Sequence, residues 1–482
     1  MSWLKTTQIN LFIILSIIIF SLIVWFPTQN LPYHWDSAGF VINSARTLLN
    51  NNFNPLIVPD SDFAHPPLLI GLLALMWKLF GQSQLVSHLL MFPFLPIYLI
   101  SIYYLAKKLF NLPIAIVTTI ICATTPVVIA EYGLIYIDLP MAALTMLGLS
   151  LWVNKKYILS IIFLSLAALI KLPALGIVGG LVVWQLWKKQ YKQIYYLLTP
   201  FISFGLWLIY HYQIENWWIA RPNRLTNSPH TLSAFLKAII FVSNNLFLEQ
   251  GRLLVTVIFL LSITIIIIKK LSKKLKAIYL PVILLLISLF PFVTTGEYGA
   301  RYGIFLYPLY YGVCIYTLFL VFQFYKIENK FIIISLIIPF LFFQFWHPKL
   351  SVSRNYLFKP SEDLSYQDMI KIGQQMSQFS QTKFPLAHFY GGFPESYQLT
   401  QPYQGYVNKE LNFSQCPQFQ LNTNCQQIII YHPYSPVQIN CSILLQQIVV
   451  VPLAYFEQNG KWVELYLVNA TQSAKINKPP TN

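Results

Sequence analysis

The sequence predicts an all-α, multi-pass membrane bundle of about 11 transmembrane helices, with a small extracytoplasmic α/β domain at its C-terminal end. Three observations predict it. Of 482 residues, 56% are hydrophobic and only 10% are charged, and the mean hydropathy is +0.57. Soluble domains carry roughly 25% charged residues, so a soluble multidomain enzyme is excluded. Apolar runs recur over residues 1–346. Many suit a hydrocarbon core about 30 Å thick, which only helices and closed barrels can span. After residue 346 the composition turns abruptly to Gln, Asn, Ser and Pro.

In chain order the apolar segments fall at 7–26, 84–106, 112–130, 139–153, 157–170, 172–187, 193–212, 253–268, 277–293, 303–324 and 331–346. The first follows Lys5 as a secretory signal would. No small-residue cleavage site follows Leu11–Phe26, so it reads as a retained helix. Several segments fall short of the roughly 20 residues of a straight span, as expected of helices packed inside a bundle or in a locally thinned bilayer. Pro66–Phe80 is also apolar, but counting it as a span would break the charge alternation described next. At 15 residues, with Trp77 and Lys78 near its end, it reads as an interfacial helix.

The net charge of +16 would suggest a nucleic-acid partner in a soluble protein. Its placement argues against one. Lys5, Lys107, Lys108, Lys155, Lys156, Lys188, Lys189, Lys192, Lys269, Lys270, Lys273, Lys274, Lys276, Lys326 and Lys330 lie on alternate loops, with Glu328 as the single acid among them. The positive-inside rule makes those loops cytoplasmic. The N-terminus is then inside and residues 347–482 outside. The remaining acids fall on or near the outer face, as do all six arginines, Arg46, Arg221, Arg224, Arg252, Arg301 and Arg354. Two readings of the arginines stay open: a small sample, or guanidinium forks suited to a phosphate ligand.

Three outer stretches are long enough to carry chemistry. The first loop, 27–83, holds Trp35-Asp36, a helix-like stretch from Ser37 to Leu49, Asp60, Asp62 and His65-Pro66-Pro67. The loop 213–252 holds Trp217-Trp218, Arg221, Arg224 and an amphipathic stretch from Leu232 to Asn245. Its tryptophans read as membrane-interface anchors. In residues 347–482, Glu362–Phe379 reads as an amphipathic helix. Leu386–Tyr390, Gln427–His432, Ile448–Phe456 and Trp462–Leu467 read as strands. Five cysteines are too few for a disulfide framework and show no metal spacing. Cys122 and Cys314 lie in apolar runs, as packing residues. Cys416, Cys425 and Cys441 lie outside, where they can pair, and Cys416–Cys425 is the pairing put forward.

Acids at the ends of apolar runs are costly unless paired or used. Asp36 stands in HWDSAGFVINSARTLL, Glu131 and Asp138 in EYGLIYIDLPMAALT, Lys171 in IKLPALG, and Glu297, Arg301 and Tyr302 in GEYGARYGIFLYP. The predicted topology brings all of them to one face. Each also has a plain alternative. Asp36 and Asp138 can serve as helix N-caps, Arg301 and Tyr302 as a snorkelling pair, Lys171 as the end of a span, and His65 as a turn residue.

Taken together, these residues resemble the GT-C superfamily of integral-membrane glycosyltransferases, in the branch of protein O-mannosyltransferases and lipid A aminoarabinose transferases. The resemblance covers roughly residues 1–346 and rests on WDSAGFVINSA, HPPLL at 65–69, IDLP at 137–140, KLPALG and RYGIFLYP. Many relatives have two adjacent acids in the first loop, whereas Asp36 is followed by Ser37. The C-terminal domain matches no recognised family. The resemblance implies transfer of a sugar from a polyprenyl-phosphate carrier at the outer face. Asp36 is then the base, and Asp138 orients the acceptor or assists the base. Arg301, with His65 or Lys171, holds the phosphate, and Glu131, Tyr302, Glu297, Arg221 and Arg224 are further site candidates. The expected partners are a polyprenyl-phosphate sugar donor, membrane lipid, and an acceptor that is a protein, a lipid or a glycan. No cofactor is implied; a divalent metal is chemically possible at the acids but is not predicted. The absence of eukaryotic sorting signals points to a bacterial plasma membrane. Two rival classes remain: a transporter or lipid flippase, which would place its charges at mid-bilayer, and a non-catalytic assembly protein, which would leave them apart.

Overall fold

The structure, a computed structural model, describes residues 2–54, 65–218, 231–249, 251–295, 298–327, 363–421, 425–431 and 439–469. Its apolar part contains α1 (Ser2–Trp25), α2 (Ile42–Asn50), α3 (Leu68–Phe80), α4 (Gln84–Met91), α5 (Phe94–Leu109), α6 (Leu112–Thr124), α7 (Pro126–Gly133) and α8 (Asp138–Val153). It continues through α9 (Tyr157–Ala168), α10 (Ala174–Trp187), α11 (Tyr191–Glu215), α12 (Leu232–Phe247), α13 (Arg252–Ile268), α14 (Tyr279–Thr295) and α15 (Tyr307–Phe324). Five stretches are long and apolar enough to cross a bilayer: Thr7–Thr28, Gln84–Leu109, Tyr191–Glu215, Lys273–Thr295 and Tyr307–Phe324. Counting the bent pairs α6–α7 (57°) and α12–α13 (97°) as one span each gives up to seven among the described residues. The chain is a multi-pass membrane protein. Ten of the eleven apolar segments coincide with helices, several of them too short for a straight span. The segment 331–346 lies outside the described residues.

Local chemistry sets several of these boundaries. Ser83 accepts a hydrogen bond from the Val86 N–H and starts α4, and Asn111 does the same for Ile114 at the start of α6. Pro126 forces the preceding Thr125 into an extended conformation (φ −65°, ψ 120°), which stops α6 and turns α7 away. The apolar stretch read as interfacial is α3. It buries Leu69, Ile70, Leu73, Ala74 and Trp77 and leaves Leu72, Leu75 and Leu79 exposed. The predicted Ser37–Leu49 helix begins instead as a π-helical turn, Ser37–Val41, and continues as α2.

Helices α5, α8 and α15 are buried nearly all round and form the centre. Against that centre, α10 and α14 approach unusually closely. A Cβ on Gly176 would lie 2.9 Å from the Ser288 Cα, and one on Gly180 would lie 3.0 Å from the Leu284 Cα. Small residues one turn apart allow such backbone contact, which in a membrane supplies the packing that hydrophobicity cannot. The lysine-bearing ends meet one another. Lys107 donates to Asn10 at 2.7 Å, Phe110 stacks on Tyr316, Tyr316 donates to the Lys274 carbonyl, and Trp187 stacks on Tyr279.

The C-terminal part contains α16 (Tyr366–Lys383), β1 (His388–Gly391), α17 (Glu395–Thr400), β2 (Asn412–Gln415), β3 (Gln427–Tyr431), α18 (Ile439–Gln447), β4 (Val450–Gln458) and β5 (Lys461–Val468). The sheet order is β2-β1-β3-β5-β4. Strand β1 runs parallel to β2 and β3, while β5 is antiparallel to β3 and β4. The β4–β5 hairpin turns at Asn459-Gly460, both with positive φ, as a two-residue hairpin requires. Met369, Ile372 and Met376 of α16 pack on Phe389, Ile428, Ile430 and Leu465. The sequence signals β1, β3, β4 and β5, but not β2, whose four residues NFSQ lack an apolar alternation. The disulfide expectation is corrected: Cys416 pairs with Cys441, and Cys425 is a free, half-buried thiol. Helix α18 brings Cys441 under the short turn after β2, so proximity along the chain did not decide the pairing. Cys122 and Cys314 are buried free cysteines, as expected.

Candidate active site

Four separate segments converge at the end of the bundle away from the lysines. The Thr125-Pro126 bend carries α7 and the Leu134–Ile137 link to Asp138, the first residue of α8. Lys171 lies in the turn between α9 and α10. Arg301 lies in a short 3-10 turn, Ala300–Gly303, between α14 and α15. Asp36 immediately precedes the π-helical turn. The Ser37 hydroxyl accepts a hydrogen bond from the Ile135 N–H and ties this turn to the α7–α8 link.

The charges alternate along a chain. Lys171 donates to Asp138 Oδ1 at 2.6 Å, and these side chains are only 9% and 2% exposed. Arg301 Nε lies 4.0 Å from Asp138 Oδ2, and its Nη2 donates to Asp36 Oδ2 at 2.6 Å. The Arg301 and Asp36 side chains are 16% and 41% exposed. The sequence thus runs Lys171, Asp138, Arg301, Asp36 from sealed to open. Aromatic rings support the cations: Tyr302 lies under Lys171 at 4.0 Å and under Arg301 at 5.1 Å, and Tyr136 lies 5.1 Å from Arg301. The Tyr136 hydroxyl also accepts from the Asp36 N–H at 3.2 Å. Burial alone would weaken the charge on Arg301. The neighbouring Asp36, Tyr302 and Asp138 outweigh it and hold the guanidinium well above its ordinary pKa.

Neither Asp36 nor Asp138 caps a helix. The Asp36 side chain makes no cap hydrogen bond to the turn it precedes, and the α8 N-cap position belongs to Ile137. Arg301 does not snorkel outward but turns in to the acids. Glu131 is fully buried on α7, within the electrostatic field of Asp138, Arg301, Lys171 and Asp36. Among the described residues neither of its carboxylate oxygens has a hydrogen-bond partner. His65 places its ring 5.5 Å from Phe40, on the turn that follows Asp36. Glu297, Arg221 and Arg224 lie outside the described residues.

Two neighbours escaped the sequence reading. Tyr136 stands two residues before Asp138, and an aromatic next to an acid in IYIDLP was the available signal. His34, 1% exposed, has no hydrogen-bond partner on either ring nitrogen among the described residues. Burial pushes its imidazole down to about 4, with Asp36 pulling the other way. Among the described residues no group of three His, Cys, Asp or Glu side chains is placed to hold a metal ion. Of the three acids at which an ion is chemically possible, Asp36 and Asp138 are each held by a cationic side chain, and Glu131, among the described residues, is not.

No protein-family profile matches the chain, and no curated protein matches it by sequence. Its fold does match solved structures. The crystal structure of ArnT, the lipid A aminoarabinose transferase, from Cupriavidus metallidurans bound to undecaprenyl phosphate aligns with a TM-score of 0.54 at 14% identity, covering 96% of this chain and 99% of that one. The apo form of ArnT gives 0.52 at 14% identity, covering 98% and 99%. The apo oligosaccharyltransferase of Archaeoglobus fulgidus gives 0.48 at 10% identity, covering 96% and 75%. The likeness to ArnT is one of fold, the GT-C fold. It does not stop near residue 346 but continues through the C-terminal domain.

Proposed function

We propose that this chain is a membrane glycosyltransferase. It moves a sugar from a polyprenyl-phosphate carrier to an acceptor hydroxyl at the extracytoplasmic face, with inversion at the anomeric carbon. The observation that carries the reading is the alternating Lys171–Asp138–Arg301–Asp36 chain, assembled from four distant segments at helix ends and opening outward at Asp36. Its placement at helix termini favours surface chemistry over transport, which uses charges at mid-bilayer on broken helices. Its tight convergence disfavours a scaffold, which has no need to pay for gathering buried charges. The undecaprenyl phosphate bound by ArnT, which shares the fold, supports a polyprenyl-phosphate donor.

In this mechanism the donor phosphate takes Arg301 as its principal partner, with His65, whose ring lies against Phe40 on the turn after Asp36, as a second candidate. Asp36, released from that pair, faces the acceptor. As the acceptor oxygen attacks the anomeric carbon, Asp36 takes its proton. The bond from that carbon to the phosphate oxygen breaks on the opposite side, and the carrier phosphate leaves with the electron pair. Arg301 is already in place to neutralise the charge that develops there, so little reorganisation accompanies the step. Asp138 holds Lys171 and the inner edge of Arg301, fixing the cations rather than touching the acceptor. Such a positioned base contributes about 10²–10⁴-fold.

The experiment is transfer by the purified protein, reconstituted in lipid, from labelled polyprenyl-phosphate sugars of several kinds. The native chain is expected to label an acceptor, and Asp36→Asn to lower the rate about 10²–10⁴-fold. No transfer from any such donor overturns the function. Full activity in Asp36→Asn overturns the role of the base.

A further inference from the structure

The backbone at Trp35 is unusual. Its φ of 51° is left-handed, a conformation that a bulky residue adopts only when its surroundings enforce it. Asp36 follows directly, so whatever enforces Trp35 also aims the Asp36 carboxylate. The first loop provides part of the restraint, since the Trp35 carbonyl accepts from the Gly39 N–H at 2.8 Å. The rest comes from the C-terminal domain.

Phe393, in the link between β1 and α17, meets the Trp35 ring edge-on with centroids 4.9 Å apart. The same phenyl ring fills the space beside Gly39, where a Cβ would lie 3.1 Å from it. Phe393 is therefore wedged between the two ends of the turn that contains Asp36. A second hold lies on the other side. Gln404 donates from its side chain to the Ala38 carbonyl at 3.2 Å, and its own carbonyl accepts from the Tyr33 N–H at 3.1 Å. Beside it, Tyr403 donates to Asn43 at 2.8 Å, and the Arg46 guanidinium covers the Tyr403 ring at 3.8 Å. Residues 33, 35, 38, 39, 43 and 46 are thus gripped by residues 393, 403 and 404, more than 340 positions away in sequence.

We infer that Phe393 and Gln404 are positioning residues for Asp36, and that the C-terminal domain works as a clamp on the loop bearing the base. The inference rests on the proposed role of Asp36 but makes a separate claim about what sets its geometry. Neither residue belongs to the ion chain, so loosening the clamp displaces the base without removing the cations that meet the phosphate. A displacement of about 1 Å at a reacting group is enough to cost on the order of 10²-fold in rate.

The test uses the full-length protein in lipid, with Phe393→Ala and Gln404→Leu as the variants and Phe393→Leu as the conservative control. The following results are expected. The kcat falls about 10- to 100-fold in Phe393→Ala, KM for the polyprenyl-phosphate sugar stays within about twofold, and Phe393→Leu recovers part of the loss. Binding of undecaprenyl phosphate is unchanged. In an Asp36→Asn background Phe393→Ala costs nothing further, because it acts through the carboxylate. Additive losses, a rise in KM with kcat intact, or no change in kcat would each overturn the clamp. Hydrogen exchange over residues 33–41 tests the same contact without turnover: faster exchange in both variants is expected, and native-like protection overturns the inference. Should the native chain prove inactive on every donor, the proposed function fails while the exchange experiment still decides whether the clamp exists.

Discussion

Two ion pairs within a few ångströms of each other differ mainly in their access to water. Lys171–Asp138 is sealed on both sides, whereas Arg301–Asp36 has its acid nearly half exposed. A charge taken out of water must recover several kcal/mol from its partner, so the sealed pair cannot lose one member cheaply. The exposed pair is worth little to stability and is free to exchange partners. Identical chemistry therefore divides into a sealed foundation and a working pair open to water. Arg301, which touches both acids, couples the two.

The largest effect should come from breaking the sealed pair. Asp138→Ala strands the Lys171 ammonium and is expected to cost about 3–5 kcal/mol of stability, measured by unfolding in detergent. Lys171→Met should cost less, because Arg301 remains beside Asp138. The double variant Asp138→Leu with Lys171→Met should regain most of the stability while transfer stays lost. If Asp138→Ala unfolds like the native protein, the distinction between the pairs collapses.

Next in size is the wall behind the open pair. His34 is depressed from 6.5 to about 4 by burial, so the unfolded chain takes up the proton first as pH falls. The stability that a neutral His34 provides is complete above about pH 6.5 and is lost as pH falls toward 4. At about 1.4 kcal/mol per pH unit, that amounts to roughly 3 kcal/mol. A His34→Phe variant should flatten this acid limb in melting curves. An unchanged limb would place its cause elsewhere.

The smallest effect on stability belongs to the residue with the largest proposed effect on rate. Asp36→Asn should shift unfolding by no more than about 1 kcal/mol, while transfer falls by orders of magnitude. Matched losses in both would make Asp36 a structural acid like Asp138.

Much of this arrangement was legible in the sequence. Lysines on alternate loops, and acids, Arg301 and Lys171 between them, separate the two ends of the bundle before any coordinates are known. Charge is costly in lipid, so its position along the chain is constrained by the membrane itself. Four of the five strands were readable from β-branched and aromatic runs. What could not be read depends on contacts between remote segments. The Cys416–Cys441 pairing, the turning of Asp36 away from capping and the grip of Phe393 and Gln404 on the first loop are set by tertiary packing. The left-handed Trp35 has no sequence signal at all, since a tryptophan is among the residues least suited to it.

The seam between α10 and α14 has a consequence for the site. Lys171 stands at the entrance to α10 and Arg301 just beyond the exit of α14. The spacing between the two cations is therefore gauged by how near those helix axes lie. Gly180 is nine residues from Lys171, about 14 Å along a helix. One added methyl there would pry the axes apart and stretch the bridge that Asp138 makes between the cations, so the site's calibration resides partly in hydrogen atoms deep in the lipid zone.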